Sequence, residues 1–101
     1  MGKWVQAVKL DDFQKVHKFV HRRKEIAIFR LDDGIYALDN ACSHEYSQLS
    51  EGIIMGDCDV CCPKHGSRFD IRTGAVKDFP ATRPVATYPV KIEEGWVWIN
   101  L

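Results

Sequence analysis

Two short segments that each pair a cysteine with a histidine constrain this chain most strongly. They are Cys42-Ser43-His44 and Cys62-Pro63-Lys64-His65, and residues 45–61 separate them. Thiolate sulfur suits zinc and iron–sulfur clusters, and imidazole nitrogen suits iron, zinc and copper. Because each segment is so short, its thiolate and its imidazole can reach a single metal centre. We therefore expect a fold in which two loops close on one metal centre.

The arrangement of these ligands leaves two kinds of centre open and favours one of them. A tetrahedral zinc ion can take four such ligands, and a two-iron cluster can take two cysteines on one iron and two histidines on the other. Zinc fingers usually group Cys with Cys and His with His, whereas each segment here provides one of each. The spacing favours the two-iron cluster, and a structural zinc-binding module remains the alternative.

The apolar residues occur in short runs that turn signals separate. Asp32-Asp33-Gly34 and Glu93-Glu94-Gly95 each lie between two apolar runs, as is typical of β-hairpins. We predict strands on both sides of each turn, a further hairpin in which apolar Val16, Phe19 and Val20 precede the basic turn from His21 to Lys24, and two shorter strands over residues 57–62 and 68–71. Helix is limited to a single turn at Asp11-Asp12. Several short strands with frequent turns indicate an all-β sandwich or a partly open barrel.

The composition is that of one folded domain with balanced charge. The chain has 101 residues, and its 14 basic residues equal its 14 acidic ones. Zero net charge argues against nucleic-acid binding. Residues 1–10 lack the apolar core of a secretion signal, and no run of about eighteen apolar residues could span a membrane. We expect a cytoplasmic monomer that does not interact with membranes, with its cysteines reduced.

The two cysteine–histidine segments and the residues that follow them resemble the Rieske family. The similarity is greater to the small Rieske-type ferredoxins of bacterial multicomponent aromatic-ring oxygenase systems. It includes residues 66–74 (GSRFDIRTG) and 79–84 (FPATRP), and it extends over essentially the whole chain. The resemblance implies an all-β fold in which an antiparallel sandwich or partly open barrel carries a two-loop cluster-binding subdomain.

The resemblance also implies the domain limits and the ligands. A single domain over residues 1–101 would carry one Rieske-type [2Fe-2S] cluster. The cluster-binding loops would cover about 40–49 and 60–70, and a proline loop would cover about 78–84. Residues that correspond to the family's ligands are assigned as follows: Cys42 and Cys62 to the buried iron, and His44 and His65 to the outer, reducible iron. Pro80 would lie in the third loop, which shields the cluster.

The function that the resemblance implies is electron transfer. Four protein ligands complete both irons, so no coordination position remains for a substrate, and we expect no enzymatic activity. The expected partners are a flavin-dependent NAD(P)H reductase as the donor and a terminal ring-hydroxylating oxygenase as the acceptor. Residues expected to form the docking rim are Glu45, Tyr46, Lys64 and Arg68. The alternative is the small Rieske-type subunit of an assimilatory nitrite reductase.

Two departures from the high-potential Rieske proteins bear on the reduction potential. Ser47 and Lys64 occupy the positions of the family's disulfide, so that bridge cannot form. Ser67 is kept, but Phe69 replaces the tyrosine whose hydroxyl donates a hydrogen bond to the cluster. Because hydrogen bonds to the sulfurs raise the potential, we expect the lower half of the Rieske range of about −150 to +300 mV.

The remaining cysteines and a basic turn have simpler interpretations. Strand alternation places Cys58 on the face of Cys62 and places Cys61 on the opposite face. We therefore expect Cys58 to be a small buried hydrophobic residue and Cys61 to be an incidental thiol. The basic run from His21 to Lys24 is interpreted as a solvated turn, with a docking patch for an acidic partner as the alternative. Trp96 and Trp98 share one strand face and should pack in or beside the core.

Overall fold

The computed structural model describes residues 2–41, 48–63, 66–78 and 83–101, which form antiparallel β-sheets. In chain order, the strands are β1 (Trp4–Lys9), β2 (Val16–His21), β3 (Lys24–Leu31), β4 (Gly34–Asp39), β5 (Ile53–Met55), β6 (Asp59–Cys61), β7 (Arg68–Asp70), β8 (Thr87–Tyr88), β9 (Val90–Glu93) and β10 (Trp96–Asn100). Short 3-10 turns occur at Leu10–Asp12 and Leu49–Glu51. The described part of the chain contains no helix that is long and apolar enough to cross a membrane.

The strands form three sheets, and the order of strands differs from their order in sequence. The first sheet has the order β1-β10-β9, the second β2-β3-β4-β8, and the third β5-β6-β7. The predicted hairpins are confirmed, because β2 pairs with β3 across Arg22-Arg23, β3 pairs with β4 across Asp32-Asp33, and β9 pairs with β10 across Glu94-Gly95. The short strands predicted over residues 57–62 and 68–71 are present as β6 and β7. The prediction of an all-β antiparallel fold is thus confirmed.

Three strands, β1, β5 and β8, were not predicted from the sequence. Each was missed for a local reason. The register of β1 against β10 shifts between Gln6 and Val8, and this irregularity breaks the period-two pattern of apolar residues. Strand β5 has three residues, of which Ile53 and Met55 are exposed. Strand β8 has only two residues. Alternation over so few residues carries little signal.

Strand β3 is buried on both of its faces and joins two hydrophobic cores. Ile26 and Ile28 pack into one core, and Ala27 and Phe29 pack into the other; none is more than 1% exposed. The first core lies between the β1-β10-β9 sheet and the β2-β3-β4-β8 sheet. The second includes Leu49, Val60, Cys62, Phe69 and Ile71, so it reaches the third sheet. The second sheet is therefore a shared layer to which the short β5-β6-β7 sheet is attached.

The tryptophans of β10 lie on the face of the strand that points away from the first core. Val97 and Ile99 are fully buried, whereas Trp96 and Trp98 are half-buried on the opposite face. The Lys91 ammonium lies 5.6 Å from the centre of a Trp98 ring and 4.7 Å from that of a Trp4 ring, which is cation–π geometry. The two tryptophans do share one strand face, but that face points away from the core and packs against lysine side chains, so the prediction that they pack in or beside the core is wrong.

Candidate metal centre

One of the four predicted ligands, Cys62, lies within the described residues. Cys42, His44 and His65 lie outside them, as do the docking-rim residues Glu45, Tyr46 and Lys64, and Pro80 of the third loop. Cys62 follows the last residue of β6 and is 2% exposed. Its side chain belongs to the core that joins the second and third sheets. The fold therefore holds this predicted ligand in a fixed, water-poor position.

The turn between β6 and β7 places a hydroxyl close to Cys62 along the chain. The Cys62 N–H donates to the carbonyl oxygen of Ser67 at 2.7 Å, and the Gly66 N–H donates to the Cys62 carbonyl at 3.1 Å. Ser67 is fully buried. A buried thiol is a suitable iron–sulfur ligand, and a buried hydroxyl is a suitable hydrogen-bond donor to cluster sulfur. The described side of the site therefore fits a [2Fe-2S] cluster.

Asn40 fixes both ends of the segment that contains Cys42 and His44. It is fully buried, its N–H donates to Glu25 at 2.9 Å, and its carbonyl accepts from the Leu49 N–H at 2.7 Å. Its side-chain oxygen accepts from the Ser50 N–H at 2.8 Å, and its side-chain amide donates to the Gln48 side chain at 3.2 Å. Asn40 thereby ties the end of β4 to the 3-10 turn that follows residues 42–47.

The sequence prediction missed this role of Asn40. Its position two residues before Cys42 is the one signal that the sequence offers, because a buried asparagine cannot be told from an exposed one by composition. The backbone reinforces the same closure through an antiparallel bridge between Ala41 and Gln48. Polar groups buried at 0% exposure must be paired, and Asn40 pairs its side chain in both directions.

Gly52 lets the end of the first predicted loop approach the strand that leads to Cys62. A Cβ atom at Gly52 would lie 2.3 Å from the Cys61 carbonyl oxygen and 3.2 Å from a Val60 methyl group. Leu49 and Val60, both fully buried, pack in the same core. The absence of a side chain at residue 52 therefore sets the close spacing between the two arms of the site.

Ion pairs attach residues 77–78 to the β6–β7 hairpin. Lys77 Nζ lies 2.6 Å from Asp59 Oδ1 and 3.9 Å from Asp70 Oδ2, and Arg68 pairs with Asp78. Hydrogen bonds to their carboxylate partners raise the pKa of both Arg68 and Lys77. The Lys77 N–H also donates to the Arg68 carbonyl at 2.8 Å. This network anchors the chain directly before the predicted proline loop. It also neutralises the charge of Arg68, because Asp78 of the same chain pairs with it.

A second polar contact lies under the start of the first loop. The Tyr88 hydroxyl donates to Asp39 Oδ1 at 2.5 Å, and Lys24 Nζ donates to the Tyr88 oxygen at 3.3 Å. Burial and the hydrogen bond to Asp39 raise the pKa of Tyr88 well above its usual range. These contacts join β3, β4 and β8 beside a groove that Ala41 and Gln48 also line.

The prediction that Cys58 is a small buried hydrophobic residue is wrong, because β6 begins at Asp59, two residues after the predicted start of the strand, and so leaves Cys58 outside it. Cys58 precedes β6, is half-buried, and has its sulfur 3.8 Å from Asp59 Oδ1 instead of in the core. The Cys58 sulfur and carboxylate oxygens of Asp59 and Asp70 lie within 4.8 Å of one another, but Lys77 already pairs with both carboxylates.

Cys61 is half-buried and pairs in register with Ile53 and Arg68.

Comparison with known proteins gives consistent matches over the whole chain. Residues 3–89 match the family described as the Rieske [2Fe-2S] domain. The chain is 39% identical to the anthranilate 1,2-dioxygenase ferredoxin subunit of Burkholderia cepacia, with 100% of this chain and 94% of the relative covered. It is 40% identical to the ferredoxin component of the naphthalene 1,2-dioxygenase system of Pseudomonas putida, with 98% and 96% covered.

Solved structures give the same result for the fold. The Sphingomonas yanoikuyae B1 ferredoxin superposes with a TM-score of 0.90 at 31% identity, covering 98% of this chain and 99% of that one. A chain from the complex of reduced oxygenase and oxidized ferredoxin in carbazole 1,9a-dioxygenase superposes with a TM-score of 0.88 at 30% identity, covering 95% and 91%. A Mycobacterium tuberculosis protein described as an NADH-dependent nitrite reductase small subunit is 25% identical, with a TM-score of 0.85 and 100% and 96% covered.

These matches agree with the geometry around Cys62. A backbone hydrogen bond joins Cys62, with its buried thiol, to Ser67, with its buried hydroxyl, and the family match includes both residues and the closure formed by Asn40. The all-β architecture agrees with that of the ferredoxins that superpose on it. The protein is therefore a member of the Rieske [2Fe-2S] family.

Proposed function

We propose that this protein is a one-electron carrier of a bacterial aromatic-ring oxygenase system. It receives electrons from an NAD(P)H-dependent flavin reductase and passes them to a terminal ring-hydroxylating oxygenase. The observation that carries this proposal is the buried Cys62, held beside the buried Ser67 in the β6–β7 turn of a chain that belongs to the Rieske family. Relatives of nearly equal length are named as ferredoxin components of dioxygenase systems, which supports an electron carrier and not an enzyme.

The ligands of the cluster are proposed to be two cysteines and two histidines. Cys42 and Cys62 would bind one iron, and His44 and His65 would bind the other. When bound, the cluster supplies a site that accepts and releases one electron. The burial of Cys62 supports its part in this assignment, since the fold removes its sulfur from water. The closure by Asn40 supports the part of Cys42 and His44, since it fixes both ends of their segment.

We also propose a single domain over residues 1–101, with cluster-binding loops at about 40–49 and 60–70 and a proline loop at about 78–84. The support is the shared strand β3, whose two faces contribute to both cores and so join all three sheets. The ion pairs of Lys77 and Arg68 support the placement of the third loop, because they fix the chain that precedes it against the second.

The partners and the compartment follow from the same assignment. A ferredoxin that superposes on this chain was solved together with its oxygenase, which supports an oxygenase as the acceptor. A donor that uses NAD(P)H favours the cytoplasm. The alternative, a nitrite reductase small subunit, has the weaker support, because the protein so described is 25% identical whereas the dioxygenase ferredoxins reach 40%.

Matched cysteine variants test the cluster. Cys62→Ser should lose the visible absorbance of the cluster together with its iron and sulfide, whereas Cys61→Ser should keep two irons and two sulfides per chain. Both variants exchange sulfur for oxygen at neighbouring residues. Loss of the cluster in Cys62→Ser but not in Cys61→Ser would therefore indicate that the Cys62 sulfur binds iron. A colourless wild-type protein that contains zinc, or equal cluster content in the two variants, would contradict the assignment.

Reconstitution tests the partners. The wild-type holoprotein should support NADH-dependent oxidation of an aromatic substrate when it is combined with a flavin reductase and a ring-hydroxylating oxygenase from its own organism. Omission of the holoprotein should stop product formation. Failure with the oxygenase, accompanied by stimulation of nitrite reduction with a nitrite reductase catalytic subunit, would favour the alternative function.

A further inference from the structure

The turn between β2 and β3 carries a cluster of unpaired positive charge. Arg22, Arg23 and Lys24, called the basic tip below, are all exposed. Arg22 and Arg23 form no ion pair or hydrogen bond with other residues in the described part of the chain, and Lys24 contacts the neutral hydroxyl of Tyr88. By contrast, Arg68 and Lys77 are paired with carboxylates. The basic tip is therefore a local excess of positive charge in a chain of zero net charge.

An apolar groove adjoins the basic tip. It has a volume of about 850 Å³ and lies between the tip and the start of β1. Trp4, Val5 and Leu101 contribute its apolar surface, Lys3 adds a further positive charge, and Trp4 is 37% exposed. A large aromatic side chain in a groove with a charged rim is a common composition for a protein-binding surface.

The basic tip lies at the end of the sheet from which the first predicted cluster-binding loop begins. Ile26 pairs with Asp39, so the same register places Lys24 level with Ala41, the residue before Cys42. Arg23 and Lys24 also line a second groove together with Ala41 and Gln48, and its acidic residues are Glu25, which pairs with Lys18, and Asp39, which accepts from Tyr88. The tip is thus adjacent to both ends of the 42–47 segment, and a partner that approaches this loop would also meet the tip.

The backbone at Arg22 is unusual for a charged residue. Its φ angle is +57°, a left-handed conformation that glycine and asparagine adopt more easily than arginine. Turn geometry therefore does not explain the arginine at this position. Glu94 has a similar φ of +52° in the β9–β10 turn, so this conformation belongs to the two-residue hairpins of the fold, and only the charge of Arg22 bears on its role.

We propose that the basic tip and the adjoining Trp4 groove form a docking surface for an acidic face of a redox partner protein. Carboxylates of the partner would pair with Arg22 and Arg23, and an apolar side chain would enter the groove beside Trp4. Because the formal net charge of the protein is zero, its overall charge cannot attract a charged partner. A local patch of charge therefore has to guide the partner during association. The inference rests on the proposed electron-transfer function and adds the charge and the position of the docking site.

A charge-reversed pair of variants tests this proposal. Arg23→Glu changes the tip, and Lys15→Glu makes the same change in net charge just before the other end of β2, where the exposed side chain forms no ion pair or hydrogen bond with the described residues. The two sites are roughly 20 Å apart along the strand. In the reconstituted oxygenase reaction at low ionic strength, Arg23→Glu should raise the apparent KM for the holoprotein about tenfold, with little change in kcat. Lys15→Glu should change it less than about twofold.

A second variant separates the loss of charge from the loss of folding. Arg22→Gly removes one charge and replaces arginine with the residue that best tolerates the observed φ angle. It should raise the apparent KM about threefold while the cluster spectrum and thermal stability are kept. The difference between wild type and each tip variant should disappear as ionic strength rises.

The possible outcomes separate this inference from the function on which it rests. Equal effects of Arg23→Glu and Lys15→Glu would show dependence on net charge alone and would overturn the docking site. An unchanged or lowered KM in the tip variants would overturn it as well. If wild-type protein transfers no electrons to the oxygenase or accepts none from the reductase, the proposed function fails, and the docking inference fails with it.

Discussion

The two outer sheets of this protein are built in different ways. Strands β1 and β10 have six and five residues and are held by backbone ladders over buried Val97 and Ile99. Strands β5, β6 and β7 have three residues each, and buried or paired polar groups surround them. Asn40, the Lys77–Asp59 pair and the Arg68–Asp78 pair provide these contacts. Both regions bury apolar residues, since Val60 and Phe69 of the short strands are also fully buried, but only the short-strand region adds these specific polar contacts to its core.

This difference shows how a Rieske-type fold separates stability from site geometry. Apolar burial is nondirectional, so the large sheets tolerate exchange among residues of similar size. A cluster needs ligands at defined positions, and directional hydrogen bonds and close backbone contacts supply that definition. Changes in the β5-β6-β7 region should therefore affect cluster binding more than equally destabilising changes in the large sheets.

The largest effect is expected for Gly52→Ala. The new methyl group would lie 2.3 Å from the Cys61 carbonyl oxygen, so the first loop must move away from β6. Overpacking of this kind costs about 2–3 kcal/mol, and the displacement should greatly lower the iron and sulfide content after expression. Gly56→Ala is the control, because a Cβ atom there meets nothing within 4 Å and only its φ of +59° opposes the substitution. Equal cluster content in both variants would show that the close approach at residue 52 is unimportant.

A smaller effect is expected for Asn40→Ala. The variant leaves the Ser50 N–H without its acceptor and removes the donor to Gln48, which should lower the free energy of unfolding by about 2 kcal/mol. Loss of the closure should also accelerate release of iron to a chelator. Gln48→Ala removes only the weaker of the two side-chain contacts and should cost less than about 1 kcal/mol. Equal rates of iron release to the chelator in wild type and Asn40→Ala would show that Asn40 does not help to hold the cluster.

The smallest effect is expected for Tyr88→Phe, and it depends on pH. The pKa of Tyr88 is raised in the folded protein, so the neutral phenol is favoured there and stability falls as pH rises above the unfolded value of about 10. Near neutral pH the variant should lose about 1 kcal/mol with its hydrogen bond to Asp39. Above pH 10 the difference from wild type should shrink in denaturant titrations. A constant difference up to pH 11 would contradict this account of Tyr88.

The sequence predicted the scaffold better than the site, for physical reasons. The hairpins at Asp32-Asp33-Gly34 and Glu93-Glu94-Gly95 were predictable, because turn residues and apolar alternation are both local signals. The role of Asn40 was not predictable, because it depends on groups eight and ten residues away that only the fold brings together. The prediction for Cys58 failed because β6 begins at Asp59, two residues after the predicted start, so the alternation of faces does not extend to Cys58.

The assignment of four ligands to one cluster can be tested most directly by pulsed electron paramagnetic resonance of the reduced holoprotein. Protein grown with ¹⁵N-labelled histidine should show strong couplings from two histidine nitrogens bound to one iron. The His44→Ala and His65→Ala variants should each lose the native spectrum, whereas His17→Ala and His21→Ala should keep it. A reduced cluster without histidine nitrogen coupling, or a native spectrum in either His44→Ala or His65→Ala, would contradict the proposed centre.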